Sequence, residues 1–292
     1  MYRDETTSPH ALLSASFLSP AALTEQGLSR HAVRQFVARG ALLRLRNGRY
    51  VGPDCPQPLQ DAGRLGGRLD CVSLLELLGV FVRQRGGPLH IQIEAGSSRL
   101  PKRHRSITAH WRRSPSERAH LTADLIEALA QACRCQSPRD AVATLDSAWH
   151  LHLVDEAGIA EVFALLPDRY QALRPLLDPR AEAGSETLVR LMLRLLGCTV
   201  EIQVTIPGVG RVDLLVDGWL IVECDSRAHH DDWTQRKKDM RRDLAAAALG
   251  YTTVRPIAED IFDTPEQILA ALRETLRHRD TRTPPIRPTG GR

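Results

Sequence analysis

The sequence predicts an α/β protein with a layered C-terminal core, preceded by a helix–turn–helix–hairpin segment and a mixed α+β middle region. Residues 181–277 show apolar periods in the order helix, three strands, helix, strand, helix, which is typical of a sheet covered by helices. Asn47-Gly48 joins two short apolar runs directly after two capped helices, a strong hairpin signal. No run approaches the roughly 20 apolar residues that cross a bilayer, and no secretory pattern opens the chain, so we expect a cytoplasmic protein without a membrane partner.

The regular N-terminal elements begin near Pro20, after about ten residues that we expect to be disordered. Ser19 is a suitable N-cap for a helix over Pro20–Gln26, and Ser29 for a second helix. The Asn47-Gly48 hairpin follows. Helix, turn, helix and hairpin in this order predict a winged helix-turn-helix within residues 1–58. This segment resembles the N-terminal domain of AbiEi-type antitoxins.

The same segment is basic, because Glu25 is the only acid among six arginines between Pro20 and Val51. A helix that starts at Ser29 would present its N-terminus to a duplex, with the hairpin arginines near the phosphate backbone. We therefore expect DNA as a partner, and a winged helix used only for protein contact is the alternative. The predicted DNA contacts here are Arg30, Arg34, Arg44, Arg46 and Arg49.

Residues 59–178 are predicted to form a mixed α+β region that carries no recognisable chemistry of its own. A connection that contains proline and glycine, residues 54–67, overlaps its start. A basic cluster between residues 99 and 118 could contact phosphates or be a solvated loop. The periods predict a helix over Leu69–Val80, strands over Leu89–Glu94 and Ile107–Trp111, and helices over Leu121–Ala132, Ser137–His150 and Ala157–Leu166.

The six cysteines form no CxxC pair. Cys133 and Cys135 flank a single residue, which is poor spacing for a zinc knuckle. We therefore expect a reducing compartment and free, mostly buried thiols.

Residues 179–278 have the clearest order of elements, and the Pro/Gly-rich basic tail, residues 279–292, is expected to be disordered. Ser185 is the expected N-cap of the first helix. The predicted elements are a helix ending near Leu196, strands over Cys198–Ile206, Arg211–Val216 and Trp219–Cys224, a helix over Asp231–Leu249, a strand over Tyr251–Arg255 and a helix over Pro265–Arg277.

Two carboxylates stand in otherwise apolar strands, Asp213 in RVDLLV and Glu223 at the end of WLIVE. Burying unpaired carboxylates is costly, and two on adjacent strands repel each other, so a divalent cation such as Mg²⁺ would stabilise them. A two-residue loop at Asp217-Gly218 would place them on opposite faces. We therefore predict a three-residue loop or a one-residue bulge, which sets Asp213 opposite Glu223.

Three runs, SETLVRLML, EIQVTIPGVGRVDLLVDGWLIVECDSRAHH and KKDMRRDLAAAALGYTTVRP, together resemble the Vsr-like branch of the PD-(D/E)XK endonucleases over almost all of residues 181–277. The resemblance implies a restriction-endonuclease-like α/β/α core. It also implies that a helix glutamate, a strand aspartate and a (D/E)-x-K pair bind Mg²⁺ or Mn²⁺. Glu186, Asp213 and Glu223 match these acids, and Gln203 matches a recurrent glutamine that would orient the site.

The chain departs from that pattern at the lysine, where Asp225 stands. An aspartate cannot stabilise developing negative charge as lysine does, but it can bind metal. His229, with His230 as second choice, matches the downstream histidine of the Vsr-like branch and can accept a proton near neutral pH. Lys237 or Lys238 is the alternative source of positive charge.

Purely structural explanations remain open for these residues. Glu186 could be a first-turn acid that the helix dipole stabilises, or it could pair with Arg190. The two strand acids could face solvent or Arg211. His229 and His230 could lie in a solvated loop, Asp239 and Arg242 could form a surface ion pair, and Gln203 could make a plain edge hydrogen bond.

Two functions are consistent with the sequence. The first is a metal-dependent DNA endonuclease, in which bound metal activates water for phosphodiester hydrolysis and Lys237, Lys238 and Arg242 contact the DNA. The second is a catalytically inactive DNA-binding transcriptional regulator of AbiEi-antitoxin type. A toxin or a second copy of the chain is a candidate partner.

Overall fold

The computed structural model describes residues 8–102, 106–224 and 233–278. Its contacts divide the chain into an N-terminal unit, residues 1–141 and 151–172, and a C-terminal unit, residues 142–150 and 173–292. Each unit combines helices with a mixed sheet, so the predicted α/β class is confirmed. The domain boundaries predicted at residues 58, 178 and 278 remain predictions.

The N-terminal unit begins with short helices and a hairpin and continues into a three-stranded sheet with helices. A 3-10 segment, Asp168–Leu176, spans the boundary between the units. The elements are α1 Pro9–Leu13, α2 Pro20–Glu25, α3 Arg30–Ala38, β1 Leu43–Arg46, β2 Arg49–Val51, α4 Gln57–Arg64, β3 Arg68–Leu69, α5 Cys71–Leu77, β4 Leu89–Glu94, β5 Ile107–Arg112, α6 Leu125–Cys135, the first residues of α7 Pro138–His150, and α8 Glu156–Ala164.

The first helices form where capping predicts them. The Ser19 hydroxyl accepts a hydrogen bond from the Ala22 amide at 3.1 Å, and the Ser29 hydroxyl accepts one from the Ala32 amide at 3.1 Å. Strands β1 and β2 pair antiparallel around Asn47-Gly48, where Gly48 has a φ of 71°. A helix pair followed by a hairpin is therefore confirmed.

The sheet of the N-terminal unit has the order β3-β4-β5, with β3 antiparallel and β5 parallel to β4. Buried apolar side chains from the sheet and from α5 and α6 form the core beneath it, among them Ile91, Ile93, Leu74 and Leu129. At its edge, Arg112 donates to both oxygens of the buried Asp70 carboxylate, at 2.6 and 2.9 Å.

Several element boundaries differ from the sequence prediction. The expected connection over residues 54–67 contains α4, and α1 is an additional helix. The helix predicted from Leu69 begins at Cys71, because Arg68 and Leu69 pair with β4. The helix predicted from Leu121 begins at Leu125, because the Asp124 carboxylate caps it by accepting from the Glu127 amide at 3.1 Å.

The C-terminal unit has the predicted order of elements with one added helix, α11. Its sheet runs β6-β7-β8-β9; β6, β7 and β8 are antiparallel neighbours, and β9 is parallel to β8. The N-cap of its first long helix is Ala183 rather than Ser185. After the end of α7, the elements are α9 Gly184–Leu195, β6 Val200–Ile206, β7 Gly210–Val216, β8 Leu220–Val222, α10 Trp233–Ala248, β9 Thr252–Val254, α11 Ala258–Asp263 and α12 Pro265–Arg277.

Helices long and apolar enough to span a bilayer are absent from the described residues.

A fully buried ion pair fixes α9 within the C-terminal unit. Arg190 of α9 is 0% exposed, and its Nη2 lies 2.6 Å from Oδ2 of Asp146. Arg190 also donates to the Leu176 carbonyl at 2.6 Å, and the Asp146 carboxylate accepts from the Thr187 hydroxyl and the Asp178 amide. Arg190 therefore pairs with Asp146, and the alternative pairing of Glu186 with Arg190 is not observed.

We expect Arg190→Met to lower the free energy of unfolding by about 3–5 kcal/mol, because it leaves the Asp146 carboxylate buried without its cation. Chemical denaturation of the purified variants measures this change. Arg277→Ala removes an exposed pair with Glu274 and should cost less than about 1 kcal/mol. Adding Asp146→Asn to Arg190→Met should recover part of the loss, and strictly additive changes would show that the pair is not coupled.

Candidate functional site

The turn between β7 and β8 sets the two predicted strand acids against each other. Val216 pairs with Leu220 and Leu214 with Val222, so the turn contains three residues, 217–219. Continued by one residue, this register places Asp213 across from Glu223 on the same face of the sheet. The predicted three-residue loop is therefore confirmed.

Glu186 and Gln203 join this face from two other elements. Glu186, in the first turn of α9, is 5% exposed, and its Oε2 accepts from Gln203 Nε2 at 2.9 Å and from the Glu182 amide at 3.0 Å. Gln203 lies within β6 but has a φ of 55°, a left-handed conformation that costs free energy in a non-glycine residue. Its amide also hydrogen-bonds Asp213, so it links the helix acid to the strand acid.

Asp213 is held by the chain that follows β8. Its Oδ2 accepts a hydrogen bond from the Cys224 amide at 2.9 Å. Arg211, the alternative partner considered for this acid, forms its ion pair with Glu182 instead. Asp213 is thus oriented by backbone and by Gln203, and no arginine in the described residues forms an ion pair with it.

Glu223 has two arginine partners. Arg242 of α10 donates from Nη2 to Glu223 Oε1 at 2.9 Å, and Arg255 Nη1 lies 3.5 Å from Oε2. Arg242 also donates to the carbonyls of Val209 and Arg211, whereas its separation from Asp239 is 4.0 Å. The main partner of Arg242 is therefore the predicted site acid, and the sequence prediction missed Arg255.

Burial disfavours the charged form of all three acids. It raises the pKa of Glu186 to about 7, and the charge of Asp213 adds to that shift. Burial also raises the pKa of Asp213 above its usual value. It raises the pKa of Glu223 as well, although Arg255 and Arg242 oppose the change. The face therefore concentrates partly desolvated negative charge, which a bound cation would stabilise.

The three acids do not gather as closely as a completed metal site. Within the described ranges, the only group of three or more His, Cys, Asp or Glu side chains with ligand atoms within 4.8 Å of one another lies elsewhere in the chain. Asp225, His229 and His230, predicted to complete the acidic site, fall outside the described residues. Glu186, Asp213 and Glu223 thus share one side of the sheet without converging to that distance.

The predicted DNA-contacting residues differ in their exposure to solvent and in their contacts within the chain. Arg30 and Arg34 on α3 and the α10 lysines, Lys237 and Lys238, are exposed. Arg44 is exposed and pairs with Asn47 of its own turn.

Two arginines of the hairpin make contacts within the N-terminal unit. Arg46 donates to the Arg99 carbonyl at 3.1 Å. Arg49 stacks over the Phe17 ring at 4.6 Å, and burial lowers the pKa of Arg49. Arg46 and Arg49 therefore stabilise the fold around the hairpin.

A second cluster, Cys71, His90, His110 and Cys135, escaped the sequence prediction. All four belong to the N-terminal unit, and their candidate ligand atoms lie within 4.8 Å of one another. The Cys71 thiol lowers the pKa of Cys135, whereas burial raises the pKa of Cys71. The four residues are spread over 65 residues of chain, so spacing alone gave no signal. The thiols are free, as expected; three of them are buried, and Cys135 is exposed.

Comparisons of the chain with protein families, curated proteins and solved structures find no match. The functional argument therefore depends on the residues and their geometry. Contacts or charge link Glu186, Gln203, Asp213, Glu223 and Arg242 on one side of the C-terminal sheet.

We expect Glu186→Gln to stabilise the Mg²⁺-free protein increasingly as pH rises. The pKa of Glu186 is raised from 4.5 to about 7 on folding, so its contribution to stability is present below pH about 4.5 and is lost by pH about 7. Glutamine keeps the acceptor oxygen for Gln203. Chemical denaturation of both proteins from about pH 4 to about pH 8 measures this difference. The two proteins should be equally stable at the acidic end, and the variant should be more stable at the basic end. Equal stability throughout would contradict the inferred desolvation.

Proposed function

We propose that the C-terminal unit is a metal-dependent phosphodiesterase that acts on DNA as an endonuclease. The observation that carries the proposal is the placement of Asp213 opposite Glu223, with Glu186 and Gln203 joined to the same face. Desolvated acids without a cation destabilise the fold. The presence of these acids in one place is explained if they bind a divalent cation.

Glu186, Asp213 and Glu223 would supply carboxylate oxygens to Mg²⁺ or Mn²⁺, with Asp225 as a further candidate. Hard oxygen donors with room for water and a substrate phosphate suit these ions. When bound, such an ion lowers the pKa of water and offsets charge that develops on the phosphorus centre. Gln203 would keep the Glu186 carboxylate oriented while the ion and substrate enter.

Arg242 is our candidate for the positive charge that the lysine of the (D/E)-x-K pair provides in PD-(D/E)XK endonucleases. Lys237 and Lys238 were the sequence-based candidates, but Arg242 already contacts Glu223. A guanidinium that neutralises an acid in the metal-free protein can turn to a phosphate oxygen when a cation binds that acid. His229 remains the proposed base, with His230 as second choice.

The order of elements supports the finer architecture that we propose. Helix α9, the antiparallel strands β6, β7 and β8, helix α10 and the parallel strand β9 fit a restriction-endonuclease-like core. Helices α2 and α3 with the β1–β2 hairpin fit a winged helix-turn-helix. In this proposal, Arg30, Arg34 and Arg44 contact phosphates and deliver the C-terminal unit to DNA in the cytoplasm.

An inactive DNA-binding regulator is the second candidate. The specific observation in its favour is that both oxygens of Glu223 already face arginines, Arg242 and Arg255. An acid neutralised by arginine no longer needs a metal ion for stability. The winged helix would then provide the function, and a toxin or a second copy of the chain would be its partner.

We expect the purified full chain to nick supercoiled plasmid with Mg²⁺ or Mn²⁺, and Asp213→Ala to reduce the rate at least about 100-fold, because a metal ligand is lost. Gel analysis of nicked and linear plasmid measures the rate. Glu201→Gln, which removes an exposed carboxylate of β6, is the charge-matched control and should retain wild-type activity. Metal-independent nicking, or equal rates for wild type and Asp213→Ala, would exclude this site as its source.

The double variant Arg30→Ala/Arg34→Ala should bind duplex DNA more weakly than wild type. The slope of log affinity against log salt should become less negative by about 2, because two phosphate contacts are lost. Fluorescence anisotropy at several salt concentrations measures both quantities. Arg273→Ala/Arg277→Ala, two exposed arginines of α12, removes the same charge, and an equal effect of this pair would argue against a role specific to α3.

A further inference from the structure

Four side chains that converge in the N-terminal unit have the chemistry of a metal site. Cys71 is the first residue of α5 and Cys135 the last of α6, whereas His90 and His110 project from the parallel strands β4 and β5. The register pairs His110 with Gln92, two residues beyond His90. The two histidines therefore share one face of the sheet, the face on which Cys71 and Cys135 meet them.

The separations match the edges of a small tetrahedron. His90 Nδ1 lies 3.1 Å from His110 Nε2, and His110 Nε2 lies 4.0 Å from the Cys135 sulfur. All four ligand atoms lie within 4.8 Å of one another. Zinc bonds of 2.0–2.1 Å to nitrogen and 2.3 Å to sulfur imply tetrahedral edges of about 3.3–3.8 Å. Small side-chain adjustments would bring the four atoms onto such an ion.

The surrounding contacts hold the ligands in place. Cys71 has a φ of 53°, a conformation that non-glycine residues keep only where the surroundings enforce it. Its neighbour Asp70 is locked by the two hydrogen bonds from Arg112, the last residue of the strand that carries His110. Gln131 donates to the Cys135 sulfur at 3.3 Å, as outer partners of metal thiolates do.

The donor set also selects the ion. Two thiolates and two imidazoles in tetrahedral arrangement favour zinc over the hard ions Mg²⁺ and Mn²⁺. Four protein ligands leave no open position for water or substrate, which is typical of a structural site. Cys135 is exposed, and with His90 it borders a surface cavity that also includes Glu76 and Asp140, so an ion can enter.

We propose that Cys71, His90, His110 and Cys135 bind one structural Zn²⁺ ion. The ion would tie α5 and α6 to strands β4 and β5, four elements that also meet through apolar packing and through polar contacts such as the Arg112–Glu127 pair. Because such an ion binds the folded chain and not the unfolded one, it stabilises the N-terminal unit. The proposal is independent of the acidic face in the C-terminal unit.

Zinc content of the full chain tests the proposal. We expect the wild type, purified under reductant and dialysed into metal-free buffer without chelator, to retain one zinc per chain by elemental mass spectrometry. Cys135→Ser and His110→Gln should each lose most of it. Cys55→Ser, which changes a half-buried thiol of the same unit outside the cluster, and Asp213→Ala should retain it.

Cobalt substitution reports the ligands directly. The Co²⁺ form of the wild type should show thiolate-to-cobalt charge transfer and the intense visible bands of a tetrahedral ion, and Cys135→Ser should weaken the charge-transfer band. A strong chelator should lower the wild-type melting temperature, and added Zn²⁺ should restore it. Cys135→Ser should show neither change.

Three results would overturn the proposal. The first is a folded wild type, judged by circular dichroism, that takes up no zinc when Zn²⁺ is added under reductant. The second is zinc retention by Cys135→Ser and His110→Gln equal to that of wild type. The third is an octahedral cobalt spectrum without charge transfer. Loss of nicking activity does not enter any of them, so this proposal and the nuclease proposal fail separately.

Discussion

Desolvation of carboxylates is the constraint on which the arrangement of the C-terminal unit depends. Glu186, Asp213 and Glu223 are held on one side of the sheet by hydrogen bonds and by a three-residue turn. Burial raises the pKa of each. Nearby side chains offset part of this desolvation cost. Gln203 adopts a left-handed conformation and bridges Glu186 and Asp213, while Arg242 and Arg255 neutralise Glu223. These contacts suit a face that binds a cation during its function.

The C-terminal unit contains two buried ionic arrangements, the Arg190–Asp146 pair and the acidic face, and they differ in how their charges are balanced. Arg190 and Asp146 pair with each other and with backbone groups, which offsets part of the desolvation penalty of a structural ion pair. Burial still raises the pKa of Asp146 to about 6. Within the described residues, the hydrogen-bond donors to Glu186 and Asp213 are neutral amides, and burial raises the pKa of both acids. Neighbouring acids with raised pKa values are a feature of functional sites more than of structural networks.

The sequence predicted most of the fold because local signals agreed with tertiary packing. Ser19 and Ser29 cap the predicted helices, and Asn47-Gly48 forms the predicted turn. The separation of Asp213 from Glu223 was enough to predict the loop length, because strand alternation has a fixed period of two. Boundaries failed where tertiary contacts decided them, as at Leu69, which pairs with β4 instead of starting a helix.

The parts of the candidate sites that escaped prediction depend on long-range geometry. Arg255 meets Glu223 through the parallel pairing of β9 with β8, and the roles of Arg46 and Arg49 depend on contacts with Arg99 and Phe17. The Cys71–His90–His110–Cys135 cluster forms because the parallel pairing of β4 and β5 places His90 and His110 two residues apart on one face, where the start of α5 and the end of α6 meet them. The two clusters offer different donor atoms, oxygen in one unit and sulfur and nitrogen in the other, so the two proposed sites would favour a hard ion and a soft ion, respectively.

The central claim is that Asp213, Glu223 and Glu186 bind a divalent cation, and crystals of the protein soaked in Mn²⁺ test it most directly. The account predicts an anomalous difference peak within metal–oxygen bonding distance of Asp213 and Glu223, with the Arg242 guanidinium withdrawn from Glu223. Full-occupancy anomalous signal elsewhere, with the acidic face empty and Arg242 still bound to Glu223, would contradict it.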